Sequence, residues 1–322
     1  MKKTLILCSL ALALTSTVAS AKTLRMGYNH PDDHPTGMAM VKFGELVEKY
    51  TDGKYKIRAY ANGQLGDERR MLEQVQTRML DVTKTATTLM TTYAPEYAVL
   101  TMPYMFKGPD HFQAVLNGEI GEGLLMKAES RNLIGMTFLY DEPRSYYTVR
   151  KAVQNPSDLK GMKIRVMNSS DAIEVAQTMG ATPTPISWSE VYTALQQGVV
   201  DGAEGGPSAL TLARHGDVAK YFSNSQHVLY PGMIVIGKHV WQGLNDEEKA
   251  EFKRAATEAA NYQKELFLQL EADALAEMKE MGVTITEPNM DAFFEKAQPY
   301  LDKYTQQPEL KALASKIHAV QS

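Results

Sequence analysis

Two arginines in this sequence stand where a guanidinium could bind an anion. Arg165 lies late in a β-type run over residues 163–167, and the strands of an α/β sheet are usually covered on both faces. A buried guanidinium requires a partner, and its planar fork matches a carboxylate. That partner is either a ligand carboxylate or an acid of the chain itself, which would make a structural ion pair. Arg144 stands between two β-type runs, which places it at a hinge crossing or in a solvated loop.

Polar residues that directly follow predicted strands form a second set of candidates, because ligands of open α/β sheets bind at the carboxyl ends of strands. Asn168 follows the Arg165 strand, where its amide either contacts the same anion or caps the next helix. Glu68 follows a glycine turn and opens a helix that has Asp67 as its N-cap. The Glu68 carboxylate either accepts a hydrogen bond from a ligand hydroxyl or complements the helix dipole.

Residues 29–34, with the sequence NHPDDH, combine two histidines with carboxylates after the first predicted strand. Such a set suggests a metal site. The proline and the lack of a helical i, i+4 frame instead favour polar contact of Asn29, His30 and His34 with a ligand. A periplasmic hydrolase or lyase that uses His30, Asp33, His34 or Glu68 is the competing class. The sequence shows no nucleophile elbow, phosphate loop or metal-ligand spacing that would support it, so no catalytic residue, metal or cofactor is predicted.

Short β-type runs alternate with helix-period segments along the chain, which predicts an α/β fold. The 322 residues exceed the usual size of one hydrophobic core, so two lobes are expected. From Asp246 to Met281 the chain has no glycine or proline, and Asn245 with Glu248 is spaced as a capping box. This segment predicts one helix of roughly 50 Å that runs across both lobes, and the alternative is two helices separated by a break that no glycine or proline marks. Two apolar faces are predicted at helical spacing: Met71, Leu72, Val75 and Met79 after Asp67, and Phe252, Ala256, Ala259, Gln263, Leu266 and Leu270 on the long helix.

The N-terminus has the pattern of a secretory signal peptide. Two lysines precede an apolar run over residues 5–14, and small residues end at Ala21. The run is too short to cross a bilayer, so cleavage after Ala21 and a periplasmic location are predicted. The only cysteine, Cys8, lies inside this run, which leaves the secreted chain without a thiol for disulfides, metal or nucleophilic chemistry. The formal net charge of −4 argues against nucleic acid or an anionic membrane surface as a partner.

The most specific motif is TPISWSEVYTALQQGVVDGAE, residues 184–204. Ser187 and Glu190 are spaced as a capping box, and apolar residues from Trp188 to Leu195 predict a helical face, so most of the motif is interpreted as scaffold. The stretch closely resembles the signature of solute-binding proteins of TRAP (tripartite ATP-independent periplasmic) transporters. The similarity also covers residues 63–72, residues 158–168 and the long helix, and therefore essentially the whole secreted chain.

This resemblance implies a two-lobed periplasmic binding protein fold with crossing strands and a long helix that spans both lobes. Residues 1–21 form the signal peptide, residues 23–141 with about 231–270 form lobe I, and residues 142–230 with about 271–322 form lobe II. The implied function is capture of a small organic-acid anion by a monomer and its delivery to a TRAP permease with small and large membrane subunits. An ATP-driven permease or a chemoreceptor is the alternative partner.

The resemblance also implies a set of ligand contacts. The carboxylate-binding arginine of the family matches Arg165, its second arginine matches Arg144, and further family positions match Asn29, Glu68 and Asn168. The predicted ligand-binding residues are Arg165, Arg144, Asn168, Glu68, Asn29, His30, His34, Met167, Glu204, Gly205 and Tyr230.

Two departures from family patterns concern the identity of the ligand. Sialic-acid binders carry an asparagine directly after the position of Glu204 and a glutamate near Ala86, so sialic acid is disfavoured. The segment after the first strand is similar to that of hexuronate binders, which usually carry two asparagines where this chain has Gly205-Gly206. A sugar acid such as glucuronate or galacturonate is predicted, with a dicarboxylate, keto acid or aldonate as the alternative. The paired glycines either let backbone N–H groups approach the ligand or make room for a bulkier one.

Overall fold

The computed structural model describes residues 21–321. The predicted signal peptide, apart from Ala21, lies outside the described residues. Among residues 21–321, no helix combines the length and the apolar character that a membrane crossing requires.

The described chain folds into strands and helices that alternate as predicted. The strands are β1 (Lys22–Gly27), β2 (Tyr55–Tyr60), β3 (Val82–Ala86), β4 (Leu133–Leu139), β5 (Arg144–Thr148), β6 (Lys163–Val166), β7 (Thr182–Pro185), β8 (Gly202–Gly205), β9 (Tyr221–Val228), β10 (Gly232–Gly237) and β11 (Thr284–Thr286). The helices are α1 (Pro35–Tyr50), α2 (Glu68–Gln76), α3 (Thr87–Met90), α4 (Pro109–Leu116), α5 (Glu119–Leu125), α6 (Ser170–Met179), α7 (Val191–Gln196), α8 (Pro207–Leu210), α9 (Lys238–Trp241), α10 (Asp246–Glu280), α11 (Met290–Thr305) and α12 (Pro308–Ala319).

Two mixed sheets form the centres of the two lobes. The first has the strand order β2-β1-β3-β10-β4 and the second the order β11-β9-β5-β8-β6-β7. In the first sheet, β1 is parallel to β2 and β3, and β10 is antiparallel to both of its neighbours. In the second sheet, β6 is parallel to β7 and β8, whereas β5 is antiparallel to β8 and β9. Every residue of β3, β4 and β10 is buried, as expected for strands covered on both faces.

The long helix α10 connects the lobes, which confirms the prediction. Its N-terminus has the predicted capping box, in which the Asn245 and Glu248 side chains each accept a hydrogen bond from the other residue's backbone N–H at 2.8 Å. Near this end Phe252 packs in the core of the first lobe, and near the other end Met278 packs in the core of the second. Its 35 residues correspond to a length of about 50 Å.

Two further connections cross between the lobes side by side. β4 leads into β5 through residues 140–143, and β9 leads back into β10 through residues 229–231. They stay adjacent because Leu139 pairs with Gly232 in the first sheet and Arg144 pairs with Val228 in the second. The largest buried apolar cluster includes residues of both lobes, so the lobes share packed side chains next to the crossing.

The differences from the predicted elements lie mainly at their ends. Met79 is 57% exposed rather than buried, because α2 ends at Gln76 and the chain turns at Arg78 with a φ of 66°. On α10, Phe267 is buried where Leu266 was predicted to be.

Candidate functional site

A cavity of about 350 Å³ lies between the two lobes. Its size is typical of small-molecule sites. The first lobe contributes residues that follow β1 and residues of α2 and β3, and the second contributes residues of β5, β6 and the loops that follow β6, β7 and β8. Nine of the eleven predicted contacts line it: Asn29, His30, His34, Glu68, Arg144, Arg165, Met167, Asn168 and Gly205.

Arg165 is 3% exposed, although its side chain lines the cavity. Its Nε donates a hydrogen bond to the backbone oxygen of Ile186 at 2.8 Å. Within residues 21–321, no carboxylate oxygen lies within 4.0 Å of the guanidinium, so the structural ion pair considered above is absent. Burial, aided by the charge of Arg144, lowers the pKa of Arg165 to about 10. The protein therefore holds a desolvated cation that an anion in the cavity would stabilise.

Arg144 is also buried, which excludes a solvated loop position, but it has an acidic partner. Its Nε lies 3.1 Å from Glu204 Oε1, and its Nη2 donates to the Glu204 backbone oxygen at 2.7 Å. The guanidinium carbon lies 5.5 Å from the ring centre of Tyr230. Glu204 and Tyr230, which were predicted as ligand contacts, are thus placed behind Arg144 and outside the residues that line the cavity.

Glu204 is part of a buried network on the second sheet. His227 Nε2 lies 3.2 Å from Glu204 Oε2, and the His227 ring stacks on Tyr146 with ring centres 4.2 Å apart. Burial alone would raise the pKa of Glu204, but Arg144 and the hydrogen bond from His227 outweigh it and hold the pKa at about 2. The Glu204 carboxylate is therefore ionised and neutralises the charge of Arg144.

The two histidines of the first lobe stack on each other with ring centres 4.3 Å apart. His34 Nδ1 accepts a hydrogen bond from the N–H of Thr36 at 3.1 Å and so caps α1. Burial and the charge of Lys84 lower the pKa of His34 to about 3, and burial lowers the pKa of His30 well below its usual value. Both rings are neutral at physiological pH, and the described residues contain no cluster of three or more metal-ligating side chains.

Buried polar atoms next to these histidines remain available to a ligand. In the described part of the chain, Asn29 Oδ1 and His30 Nδ1 have no hydrogen-bond partner, and both residues line the cavity. A buried polar atom without a partner costs free energy, which a bound polar ligand would recover.

Glu68 opens α2 and forms a buried ion pair with Lys84, whose Nζ lies 2.7 Å from Glu68 Oε1. Both side chains line the cavity. The charge of Glu68 thus stabilises the N-terminus of α2 and also pairs with Lys84, a residue that the sequence analysis did not identify. Lys84 lies inside the fully buried β3, and a lysine in an otherwise uncharged strand was the available signal.

Asn168 is exposed at the rim of the cavity. It does not cap the next helix, because the N-cap position of α6 belongs to Ser169. The predicted capping box of Ser187 and Glu190 does not form either. Instead, the Ser187 hydroxyl lies 3.4 Å from Asp67 Oδ2 of the other lobe.

Trp188 was interpreted as scaffold but lines the cavity. Its ring centre lies 5.8 Å from the guanidinium carbon of Arg165 and 5.8 Å from the ring centre of His30 in the other lobe. Sequence reasoning also missed three residues that line the cavity near the crossing strands: Asp141, Glu142 and Ser208.

A two-lobed α/β fold that encloses a polar cavity around a buried arginine defines a binding protein for a small anion. Comparison with known proteins identifies the family. The sequence model of the bacterial extracellular solute-binding protein family 7 (DctP) matches residues 26–307. The chain therefore belongs to this family of TRAP transporter solute-binding proteins. The members of this family bind solutes for transport and are not enzymes.

Individual relatives cover nearly the whole chain. A solute-binding protein of Chromohalobacter salexigens is 33% identical over 310 residues, which are 95% of this chain and 92% of the relative. A TRAP periplasmic solute-binding protein from the same species, solved with bound D-glucuronate, superimposes with a TM-score of 0.88 at 32% identity and covers 92% of this chain and 100% of that one. One from Polaromonas sp. JS666, bound to D-erythronate, has a TM-score of 0.89 at 29% identity and covers 94% of this chain and 99% of that one.

Proposed function

We propose that this protein captures a sugar-acid anion, a hexuronate such as glucuronate or galacturonate, and that Arg165 binds the ligand carboxylate. The observation that carries the proposal is the buried guanidinium of Arg165, which lines the cavity without a carboxylate partner among residues 21–321. Similar structures bound to D-glucuronate and D-erythronate support a polyhydroxylated acid. The alternative ligands within this class are keto acids, aldonates and dicarboxylates.

The polar atoms around Arg165 supply contacts for ligand hydroxyls. Asn29 Oδ1 and His30 Nδ1, which have no partner within the described chain, would accept or share hydrogen bonds with them. Asn168, Met167 and Gly205 would close the cavity on the side of the second lobe. Arg144 faces the same cavity, but the carboxylate of Glu204 balances its charge. Arg144 would therefore donate hydrogen bonds to the ligand without serving as a second anion anchor.

Capture would proceed by closure of the two lobes on the ligand. We assign residues 23–141 with about 231–270 to lobe I and residues 142–230 with about 271–322 to lobe II, with the hinge at residues 140–143, 229–231 and the middle of α10. A ligand that contacts both lobes binds the closed state more tightly than the open one, and this difference drives closure. The closed protein would then dock on the membrane permease.

Membership in the family places this protein with periplasmic proteins that serve TRAP permeases. We further propose that the signal peptide is cleaved after Ala21, that the protein acts as a monomer, and that its permease has one small and one large membrane subunit. Size-exclusion chromatography with light scattering and mass spectrometry of the secreted protein test the first two points.

Calorimetric titration of the secreted protein with D-glucuronate, D-galacturonate and other carboxylates tests the proposal. Arg165→Ala should weaken binding by at least about 100-fold, since it removes one partner of a buried charge pair. The same substitution should not lower the thermal midpoint of the ligand-free protein, because it removes a desolvated cation. Arg150→Ala, at an exposed arginine outside the cavity, is the matched control. Binding by Arg165→Ala within threefold of the wild type would refute the anchor, and no binding of any organic acid would refute the function.

A further inference from the structure

The second of the paired glycines, Gly206, is required by a close neighbour. A Cβ atom placed on Gly206 would lie 2.3 Å from the Cβ of Glu142 and 2.5 Å from its Oε2, distances that no side chain tolerates. A Cβ on Gly205 would lie 3.2 Å from Ala209 Cβ, which is tight but not prohibitive. The space that a side chain at position 206 would fill is thus occupied by Glu142. This differs from both sequence-based interpretations of the glycine pair.

Glu142 is held firmly in that space. It is 1% exposed, and its two carboxylate oxygens accept hydrogen bonds from the Ser208 N–H at 3.2 Å and from the Ser208 hydroxyl. Its own N–H donates to Asp141 Oδ1 at 2.9 Å. Both acids line the cavity, and neither forms an ion pair with any basic residue of the described chain. Burial together with the charges of Asp141 and Glu271 raises the pKa of Glu142 to about 8, despite the hydrogen bonds from Ser208.

The cavity therefore has two chemically opposite regions. Arg165 provides a cation on the second lobe, and Asp141 with Glu142 provides two adjacent acids at the crossing between the lobes. Arg144 follows Glu142 by two residues along the chain and lines the same cavity. An occupant that extends from Arg165 past Arg144 would present its distal end to the two acids.

We propose that Glu142, supported by Asp141, is the specificity-determining residue of this site: it requires hydrogen-bond donors at the distal end of the ligand and rejects a second carboxylate there. The proposal rests on the proposed function and narrows it to monocarboxylates whose distal end carries hydroxyl groups, or an ammonium group. Burial and the charge of Asp141 already raise the pKa of Glu142, so a second ligand carboxylate would add negative charge to a site that resists it, most strongly above about pH 8, where Glu142 is ionised. Ligand hydroxyls, in contrast, can donate hydrogen bonds to the carboxyl oxygens.

Matched ligand pairs test this directly. D-Glucarate differs from D-gluconate, and meso-tartrate from D-erythronate, only by oxidation of the distal carbon to a second carboxylate. Calorimetric titration of the secreted wild-type protein at pH 9, where Glu142 is ionised, should show at least about 100-fold tighter binding of the monocarboxylate in whichever pair binds. Equal or tighter binding of the dicarboxylate would overturn the inference and leave the proposed function standing. No binding of any carboxylate would reject the proposed function, and the inference with it.

Two variants connect the selectivity to Glu142. Glu142→Gln keeps the shape of the side chain but cannot ionise, so at pH 9 the preference for the monocarboxylate should narrow by about tenfold or more. Gly206→Asn should displace Glu142 and weaken monocarboxylate binding. Glu277→Gln, at an exposed acid of α10, is the charge-matched control and should leave the preference unchanged. If Glu142→Gln does not fold, Asp141→Asn provides the same comparison. An unchanged preference in the folded variants would overturn the role of Glu142.

Discussion

Arg69 of the first lobe binds the backbone of Asn168 in the second, with its Nη2 2.6 Å and its Nε 3.3 Å from the Asn168 carbonyl oxygen. Thr88 and Ser169 also join the lobes, since the Ser169 hydroxyl donates to the Thr88 backbone oxygen at 2.9 Å. Opening of the cleft would break these contacts, so they contribute to the closed state independently of the ligand. The stability of closure is therefore set partly by direct contacts between the two lobes.

Arg69→Ala should weaken ligand binding by about fivefold, because an exposed charge-assisted hydrogen bond contributes about 1 kcal/mol. The loss should occur mainly in the dissociation rate, since the contact forms only after closure. Stopped-flow measurement of ligand release tests this. Arg58→Ala, on the outer strand β2, controls for the loss of a surface arginine. An unchanged dissociation rate in Arg69→Ala would show that the contact does not contribute to closure.

Glu204→Gln should destabilise the folded protein at pH 7 by roughly 3 kcal/mol, because it leaves the buried Arg144 without its counter-charge. Urea denaturation followed by circular dichroism measures the change. Glu174→Gln, at a partly exposed acid paired with Lys303, is a suitable control and should cost less than about 1 kcal/mol. If both substitutions have the same small effect, the Glu204 ion pair is not a significant source of stability.

The same residue predicts a specific pH dependence. The pKa of Glu204 falls on folding from its usual 4.5 to about 2, so its contribution to stability is complete above about pH 4.5 and is lost as the pH falls toward 2. Between these values the wild type should lose stability more steeply than Glu204→Gln, which has no group to titrate there. Urea midpoints measured from pH 6 to pH 2.5 test this. Parallel curves for the two proteins would contradict the assignment.

Much of the fold could be predicted from local sequence. The capping box at Asn245 and the absence of glycine and proline after it specified α10 to within a residue. The error at Met79 arose because nothing in the sequence signals that Arg78 adopts a left-handed conformation and ends the helix early.

The site was harder to predict, because its partners come from distant parts of the chain. Arg165 could be recognised as a buried cation, but whether an acid of the chain neutralises it depends on the tertiary structure. The Ser187 and Glu190 spacing predicted a local cap, whereas the Ser187 hydroxyl contacts Asp67 of the other lobe. Nothing in the sequence marked Glu142 as a site residue. Its role depends on its contact with Gly206, which is distant in sequence and has no side chain to occupy the same space.

Asn245→Ala should lower the free energy of unfolding by about 1 kcal/mol, the usual effect of removing a helix N-cap. The expected reason is loss of the hydrogen bond from the Glu248 N–H, which Asn245 Oδ1 accepts at 2.8 Å. Asn245→Asp preserves the acceptor and should retain most of the stability. Thermal denaturation of both variants measures the difference. Equal midpoints for the two variants would show that the cap contributes nothing beyond the packing of α10.

Ligand binding should change the fluorescence of one of the two tryptophans of this chain and not of the other. Trp188 lines the cavity with its ring centre 5.8 Å from the guanidinium carbon of Arg165, whereas Trp241 lies on α9 outside the residues that line the cavity. A carboxylate bound to Arg165 neutralises a charge next to the Trp188 ring and excludes water from it, so its emission should shift. Titration of Trp241→Phe with D-glucuronate should retain the signal, and titration of Trp188→Phe should lose it. Calorimetry of the same variants separates loss of signal from loss of binding. If Trp188→Phe binds and still reports the ligand, the carboxylate does not sit beside Trp188 and the proposed position of the anchor is wrong.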